Sequence, residues 1–335
     1  MKRITPYIKS LFRYNILKKK IPLNVSISLT NKCQLSCVYC RIPQRKQKEM
    51  TTKEIIQIIN DLSKNETQRI SLNGGEPLLH KDLDIIINKC KEKNIFTSLT
   101  TNGLLVSQKI KSLKKLDLLI ISLDGNKNIQ DSIRGKSFDK IIKGIKKARE
   151  NNIVVWISTV LSNKNFFNVD FLLKKAEELD FYVSFQIVHH IDTISGKTNK
   201  LLLTREKYQK LINRLLSYKK INKRIVNSKT VLKYLHNWPD YRTKIINNAS
   251  GKIKNYIPCK AGQLFCHIDT NGDVYPCTQL IGKTKTKNAL KIGFKKAFDS
   301  IQKQQCSCPS TDYNEYNFLF SLNYESIVNA IRLTK

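Results

Sequence analysis

Three cysteines near the start of this 335-residue chain, Cys33, Cys37 and Cys40, stand within eight residues of one another. Their spacing places three thiols in one loop, with no fourth Cys or His nearby in the sequence. Structural zinc usually takes four ligands with paired Cys-x2-Cys spacing, and electron-carrying four-iron clusters use four thiolates. Three thiolates would leave one iron of a four-iron cluster open, which is an arrangement suited to chemistry on a bound molecule.

Of the nine cysteines, five more stand in the last quarter of the chain: Cys259, Cys266, Cys277, Cys306 and Cys308. The basic start of the sequence has no apolar stretch typical of a secretory signal. Without such a signal, clustered cysteines indicate metal or iron–sulfur ligation rather than disulfides. The remaining cysteine, Cys90, lies in an apolar-periodic segment and is expected to be a small buried residue.

The elements that must position the first cysteines alternate between strand and helix six times over about 165 residues. Strands are predicted at 25–30, 69–73, 95–100, 118–123, 153–161 and 182–188. Helices are predicted between them at 51–64, 82–94, 110–116, 138–151 and 169–179. This alternation predicts parallel strands with right-handed crossovers, in an α/β partial barrel or an open sheet. Six units fall short of the eight that close a full barrel.

Residues with chemical potential follow the predicted strands, at the edge where α/β folds place their sites. The first strand leads into the cysteine loop and the second into Asn73-Gly74-Gly75-Glu76-Pro77. The third and fourth lead into Asn102-Gly103 and Asp124-Gly125, and the sixth into His189-His190. Each glycine pair alone is explained by turn formation. Turn formation does not explain three thiols on one loop and a carboxylate on the next.

The Cys33-x3-Cys37-x2-Cys40 loop, with the aromatic Tyr39 before its last cysteine, resembles the signature of the radical S-adenosylmethionine (SAM) superfamily. The Gly74-Gly75-Glu76-Pro77 stretch resembles the methionine-binding motif of that superfamily. The resemblance covers about residues 25–190 and implies a partial (βα)6 TIM-like barrel. It also implies a [4Fe-4S] cluster that binds SAM and, once reduced, cleaves it to a 5′-deoxyadenosyl radical that abstracts hydrogen from a substrate.

The resemblance also implies roles for individual residues. Gly74, Gly75 and Glu76 would receive the methionine amino group, with Pro77 shaping the turn, and Tyr39 would lie near the adenine. Ser122 and Asp124 match positions that hold the ribose in relatives, and Arg134 matches one near the SAM carboxylate. Asp124 as a simple turn residue and Arg134 as a solvated loop cation remain open, as do structural or ligand-facing roles for His189 and His190.

The last quarter combines an expected β-hairpin, in which two apolar strands flank Asn271-Gly272, with the five cysteines. The spacing of Cys259, Gly272 and Cys277 resembles the entry to the auxiliary-cluster region of radical SAM maturases, the SPASM or shorter twitch domain. Full SPASM domains need about seven cysteines, so one auxiliary [4Fe-4S] cluster is expected. Cys259, Cys277, Cys306 and Cys308 are the preferred ligands. Cys266 replaces one of them, is a buried bystander or is a free thiol, and zinc remains open for this group.

The chain carries 60 Lys and Arg against 26 Asp and Glu, a formal charge of +34. Such an excess is typical of proteins that bind nucleic acids. The lysines are scattered through every segment, however, which favours a compositional bias over a nucleic-acid site. No apolar stretch approaches the ~20 residues of a membrane span, so a cytoplasmic location is expected. The basic, amphipathic N-terminal segment is expected to pack on the barrel, with an anionic membrane surface as the alternative.

These observations divide the chain into an N-terminal segment (1–24), a radical SAM core (25–200), a helical connector (201–250) and an auxiliary-cluster domain (251–335). The favoured hypothesis is a radical SAM enzyme that modifies a peptide or protein and receives electrons from a donor such as flavodoxin or ferredoxin. A radical SAM enzyme of small-molecule or cofactor biosynthesis is the alternative. A non-catalytic, metal-stabilised nucleic-acid binder is the alternative from another class, and Glu76 argues against it, since such a protein needs no carboxylate there.

Overall fold

Strand and helix alternate along the first half of the chain, as the sequence predicts. The computed structural model describes residues 4–188, 201–239, 245–248 and 251–333. The strands there are β1 (Asn24–Ser28), β2 (Arg69–Asn73), β3 (Phe96–Thr101), β4 (Leu118–Ser122), β5 (Val155–Leu161) and β6 (Tyr182–Ile187). The helices are α1 (Ile4–Leu17), α2 (Thr52–Lys64), α3 (Leu83–Glu92), α4 (Ile110–Leu113), α5 (Lys127–Arg134), α6 (Phe138–Glu150) and α7 (Val169–Glu178).

The second half supplies shorter strands and further helices. The strands are β7 (Ile246–Asn247), β8 (Phe265–Ile268), β9 (Asp273–Tyr275), β10 (Lys287–Asn288) and β11 (Cys306–Ser307). The helices are α8 (Arg205–Ile221), α9 (Lys229–His236), α10 (Ala289–Ile292), α11 (Phe294–Asp299), α12 (Thr311–Phe320) and α13 (Tyr324–Arg332). His189 and His190 lie outside the described residues.

One nine-stranded sheet organises the molecule, in the order β10-β9-β8-β1-β2-β3-β4-β5-β6. Strands β1 to β6 pair in parallel with their sequence neighbours. β8 joins the free side of β1, also in parallel, and β9 and β10 follow it in antiparallel pairing. The partial barrel of six βα units is therefore confirmed, and the predicted C-terminal hairpin extends the same sheet.

Alternation along the strands gives the sheet two different faces. Residues such as Ile70, Leu72 and Ile157 are fully buried and pack with apolar residues of α2, α3 and α6 in the main core. The alternate residues point away from the helices, and we call that side the inner face. Many of them are small and polar: Ser26, Ser28, Ser71, Asn73, Ser98, Thr100, Ser122, Ser158 and Ser184.

Local signals explain where helices begin, but one helix differs from the prediction. Thr51 caps α2 through a capping box with Glu54, as its position after a turn predicts. Helix α5 was not predicted. Its mean hydropathy is low, yet Asn126 caps its N-terminus and Ile133 buries its apolar side. Because α5 ends at Arg134, that residue belongs to a buried helix end rather than to a solvated loop.

Helix α12 connects two distant parts of the sheet. Its Tyr313 stacks on Phe265 of β8, with ring centroids 5.5 Å apart. Asp312, the residue before Tyr313 in the same turn, accepts a hydrogen bond from the side chain of Gln186 in β6. A single helix contacts both strands because the sheet curls, and α12 thus lies across the opening that six units leave in the barrel.

From Pro6 to Leu17, the N-terminal helix packs only one of its faces against the rest of the protein. Leu11 is buried in a second core beside Phe265, and Tyr7 stacks on Phe320 at 6.5 Å. Ile8, Phe12, Ile16 and Leu17 are exposed. The expected packing on the barrel is therefore present, while the outer side of the helix stays apolar and accessible.

Candidate iron–sulfur site

The two glycines after β2 bring that loop against the start of the cysteine loop. The Gly75 amide donates to the Thr30 carbonyl oxygen at 2.7 Å, and the Glu76 amide donates to that of Lys32 at 2.8 Å. A Cβ on Gly74 would lie 2.4 Å from the Thr30 oxygen, and one on Gly75 would lie 2.3 Å from the Lys32 oxygen. The close approach therefore excludes any larger residue at either position.

Glu76 joins the second and third loops rather than pointing into open space. Its carboxylate accepts hydrogen bonds from the Leu78 amide (3.0 Å), the Thr101 hydroxyl (2.7 Å) and the Asn102 amide (2.7 Å). Burial raises the pKa of Glu76, and the three hydrogen bonds oppose that rise. Pro77 directly follows Glu76 and is the first residue of a short 3-10 helix, Pro77–Leu79.

The cysteine loop crosses the C-terminal edge of the sheet with its thiols close together. The Cys33 sulfur accepts N–H groups from Leu35 (3.4 Å) and from the Asn102 side chain (3.7 Å). Burial raises the pKa of Cys37 to about 11, Arg134 lowers it, and Cys40 and Cys33 raise it further. Mutual repulsion of this kind means that the three sulfurs share a small region, and iron would relieve it by binding them as thiolates. The donor set thus fits a cluster held by three cysteines.

Tyr39, Asp124 and Arg134 form one hydrogen-bonded group beside these thiols, in which Tyr39 is half-buried. The Tyr39 hydroxyl donates to Asp124 at 2.8 Å, and Arg134 donates to both oxygens of Asp124 at 2.7 and 3.3 Å. The Val160 amide donates the fourth hydrogen bond at 2.9 Å. The Asp124 side chain is fully buried and that of Arg134 is 9% exposed. Ser122 lies at the end of β4, two residues earlier.

These contacts fill the four acceptor positions of the Asp124 carboxylate. In this conformation Asp124 has no lone pair left for a ribose hydroxyl. The guanidinium also lies 5.4 Å from the centre of the Tyr39 ring. Asp124 and Arg134 therefore hold Tyr39, and with it the last cysteine of the loop, against the end of β4.

The turn of the C-terminal hairpin braces the same loop from the other side. Arg45 forms a two-point ion pair with Asp269, and Asn31 donates to the Thr270 hydroxyl at 2.9 Å. The Met50 amide donates to the Thr270 carbonyl at 2.7 Å. Sequence reasoning missed these partners because more than 200 residues separate them from the loop.

Four of the five C-terminal cysteines line one cavity: Cys259, Cys277, Cys306 and Cys308. Burial raises the pKa of Cys259 to about 12, and Cys308 and Cys306 add to that rise. Cys277 is shifted in the same direction by burial and by the other three thiols. Backbone amides of Ala261 and Gln279 donate to the Cys259 and Cys277 sulfurs. Four thiols around one cavity, two of them accepting backbone N–H groups, fit a second iron–sulfur cluster, whose ligands lie farther apart than those of a single metal ion.

Cys266 and Cys90 lie elsewhere. Cys266, in β8, belongs to the main hydrophobic core, where burial alone raises its pKa. Cys90 is fully buried in α3, as expected. Within the described residues, no three His, Cys, Asp or Glu side chains converge as the ligands of a single metal ion do. In the same part of the chain, no helix is long and apolar enough to cross a membrane.

The family model of the radical SAM superfamily matches residues 27–167. GTP 3′,8-cyclase of Clostridium perfringens is 36% identical over 159 residues, which are 44% of this chain and about half (48%) of that protein. A probable GTP 3′,8-cyclase of Methanococcus maripaludis is 30% identical over 217 residues, covering 54% of this chain and 71% of that protein.

Two solved structures share the fold at low identity. Streptococcus suis SuiB bound to precursor peptide SuiA aligns with a TM-score of 0.69 and 19% identity, over 86% of this chain and 67% of that one. Native anSMEcpe with bound AdoMet and Cp18Cys peptide aligns with a TM-score of 0.64 and 19% identity, over 83% of this chain and 80% of that one. With its motifs, fold and relatives in agreement, the chain belongs to the radical SAM superfamily and is an enzyme that uses a [4Fe-4S] cluster and SAM.

Proposed function

We propose that this enzyme modifies a side chain of a peptide or protein and carries one auxiliary four-iron cluster in a C-terminal region of the SPASM or twitch type. The observation that carries the proposal is the cavity lined by Cys259, Cys277, Cys306 and Cys308. Two further features support it. SuiB and anSMEcpe share the fold over most of this chain and were crystallised with peptides, and the inner face of the sheet carries many small polar side chains.

In this proposal Cys33, Cys37 and Cys40 hold the first cluster, and Gly74, Gly75 and Glu76 receive the amino group of SAM. When bound, the cluster and SAM together supply a radical able to remove a hydrogen atom from an unactivated C–H bond. The chain's own residues position that chemistry. Glu76 fixes the amino-group loop to β3, and Tyr39 is held by Asp124 and Arg134 so that its ring can lie beside the adenine.

Asp124 itself is assigned to positioning rather than to the ribose, because its carboxylate is fully hydrogen-bonded. Ser122, at the end of the same strand, remains the proposed ribose contact. Arg134 serves the SAM carboxylate only through a guanidinium nitrogen not used by Asp124. The proposed cellular setting is cytoplasmic, with a flavodoxin or ferredoxin as electron donor.

Small-molecule or cofactor biosynthesis is the second candidate. It is favoured by sequence relatives named GTP 3′,8-cyclase. The two candidates differ in substrate but share the cluster and SAM. A short open reading frame beside the gene would favour the peptide, and incubation with that peptide and SAM would test it by mass spectrometry.

The cluster content is tested by anaerobic purification and reconstitution. The protein should hold about eight irons, two four-iron clusters, and should form 5′-deoxyadenosine when reduced in the presence of SAM. Replacing Cys33, Cys37 and Cys40 by Ala should abolish 5′-deoxyadenosine formation and leave about four irons.

The matched double variant Cys259→Ala with Cys277→Ala should instead leave the other four irons, at the first site. If SAM cleavage survived loss of the first three cysteines, the assignment of the first site would be wrong. If the double variant kept about eight irons, the auxiliary site would be wrong.

A further inference from the structure

Arg69 is the only charged residue on the inner face of strands β1 to β6, all of which lie within the described residues. It is the first residue of β2, next to the fully buried Ile70 that faces the helices. Its guanidinium lies 5.1 Å from the centre of the Phe96 ring, and its terminal nitrogen donates to the Ser98 hydroxyl at 3.3 Å. The guanidinium therefore points along the interior of the barrel, above neighbouring β3.

The hydrogen-bonding capacity of Arg69 is not used up. Its Nε atom is buried and has no hydrogen-bond partner among the residues that the structure describes. Across the described residues, no carboxylate lies within 4.0 Å of the guanidinium. Buried donors and charges without partners are costly, so proteins usually pair them. An unpaired donor inside an enzyme's barrel indicates a group that pairs with a ligand.

A second unpaired donor faces the same interior from β5. Trp156 alternates with the buried Val155 and Ile157, so its indole lies on the inner face. Its Nε1 atom is also buried and, within the described part of the chain, has no hydrogen-bond partner. Trp156 pairs in register with Ile120 and Tyr182. Two strands of the barrel thus offer N–H groups inward that no acceptor in residues 4–188, 201–239, 245–248 or 251–333 takes.

Asp312 limits which anion could enter. It belongs to the first turn of α12, accepts a hydrogen bond from Gln186, and is accessible to solvent. Although this carboxyl group meets solvent, the protein atoms that surround the barrel interior raise its pKa, while Gln186 and the nearby Arg69 lower it. One guanidinium and one carboxylate therefore face the same space without forming an ion pair. A multiply charged phosphate would meet the Asp312 carboxylate with too few cations, whereas a single carboxylate with a donor group nearby would satisfy both residues.

We propose that the barrel interior binds its substrate through a carboxylate that pairs with Arg69, assisted by the Trp156 N–H, while Asp312 accepts a donor group of the same molecule. This inference rests on the proposed function and narrows it to substrates bearing a carboxylate, from an acidic side chain or from a peptide C-terminus. Arg69 is then a specificity-determining residue, since a neutral analogue would leave its charge unpaired.

Trp156 provides the readout, because the chain contains only one other tryptophan, Trp238. In a Trp238→Phe background, the reconstituted protein is titrated with N-acetylglutamate α-amide, N-acetylglycine, the neutral N-acetylglutamine α-amide and inorganic phosphate. We expect saturable changes of Trp156 fluorescence with the carboxylates, and binding at least tenfold weaker for the neutral amide and for phosphate. Tighter binding of N-acetylglutamate α-amide would indicate that the substrate's carboxylate is an acidic side chain. Tighter binding of N-acetylglycine would indicate a peptide C-terminus.

Arg69→Gln should weaken carboxylate binding at least tenfold, and Arg69→Lys should weaken it less because the charge remains. Arg224→Gln is the matched control: Arg224 also lies over an aromatic ring, that of Tyr182, but is paired with Asp180. Equal binding of acid and amide, preference for phosphate, or unchanged binding by Arg69→Gln would overturn the proposal. The titration does not depend on SAM cleavage or on iron counts, so its failure is distinguishable from failure of the proposed function.

Discussion

Removing the charge of Asp124 tests the group that holds Tyr39. Asp124→Asn keeps the size of the side chain but turns an amide toward donors and leaves Arg134 buried without a counter-ion. Breaking one partner of a buried ion pair costs about 3–5 kcal/mol. Since small folded proteins are stable by about 5–15 kcal/mol, this loss would be a large fraction of the total. Urea denaturation monitored by circular dichroism measures this change in the free energy of unfolding, provided that the variant and the wild type have the same m value.

The matched control is Asp139→Asn, which breaks the exposed pair of Lys127 and Asp139 on neighbouring helices. That change should leave the denaturation midpoint within error, because solvent screens exposed pairs. Replacing Asp124 by Leu and Arg134 by Met together should recover much of the stability lost in Asp124→Asn. Two results would contradict this account of Asp124 and Arg134 as a buried ion pair. One is a loss of stability in Asp124→Asn no larger than that in Asp139→Asn. The other is a double variant no more stable than Asp124→Asn.

Three further outcomes are expected. Gly75→Ala should lower iron loading at the first site and the melting temperature, because its Cβ would meet the Lys32 carbonyl oxygen at 2.3 Å; iron assay and thermal denaturation would check it, and unchanged loading would contradict it. Burial lowers the pKa of His267 to about 4 from 6.5. In the unfolded chain His267 therefore becomes protonated below pH 6.5, whereas in the folded protein it stays neutral down to about pH 4. Stability should fall by up to about 3 kcal/mol as pH drops through that window, and His267→Gln should lack this part of the slope in urea titrations at each pH. Cys266→Ala should keep the wild-type iron content, whereas loss of auxiliary iron in that variant would make Cys266 a ligand.

Much of the barrel could be predicted because its signals are local. The predicted strand at 69–73 coincides with β2, and the other five strands are displaced by no more than two residues at either end. Buried strands and amphipathic helices carry their periodicity in ten or so residues. Helix α5 was missed since it is short and polar, although Asn126 and the spacing of Ile129 and Ile133 were available as signals.

The partners of the site residues could not be predicted in the same way. Tyr39 meets Asp124 and Arg134 only because three separate loops converge at the end of the sheet. The same holds for Arg45 and Asp269, which stand 224 residues apart. The sequence could identify Cys259, Cys277, Cys306 and Cys308 as a group by their spacing. It could not show that Cys266, on the same hairpin, would turn into the core.

Pairing of β8 with β1 also governs how this chain must assemble during synthesis. The ribosome delivers β1 long before β8, its neighbour on that side, which emerges more than 230 residues later. Until then, the nascent first strand presents a row of bare amide and carbonyl groups, which is the feature that invites strand exchange between chains. A truncated protein that ends before residue 265 lacks β8, so the edge of β1 stays exposed. Such a protein should therefore aggregate even when residues 27–167 are all present.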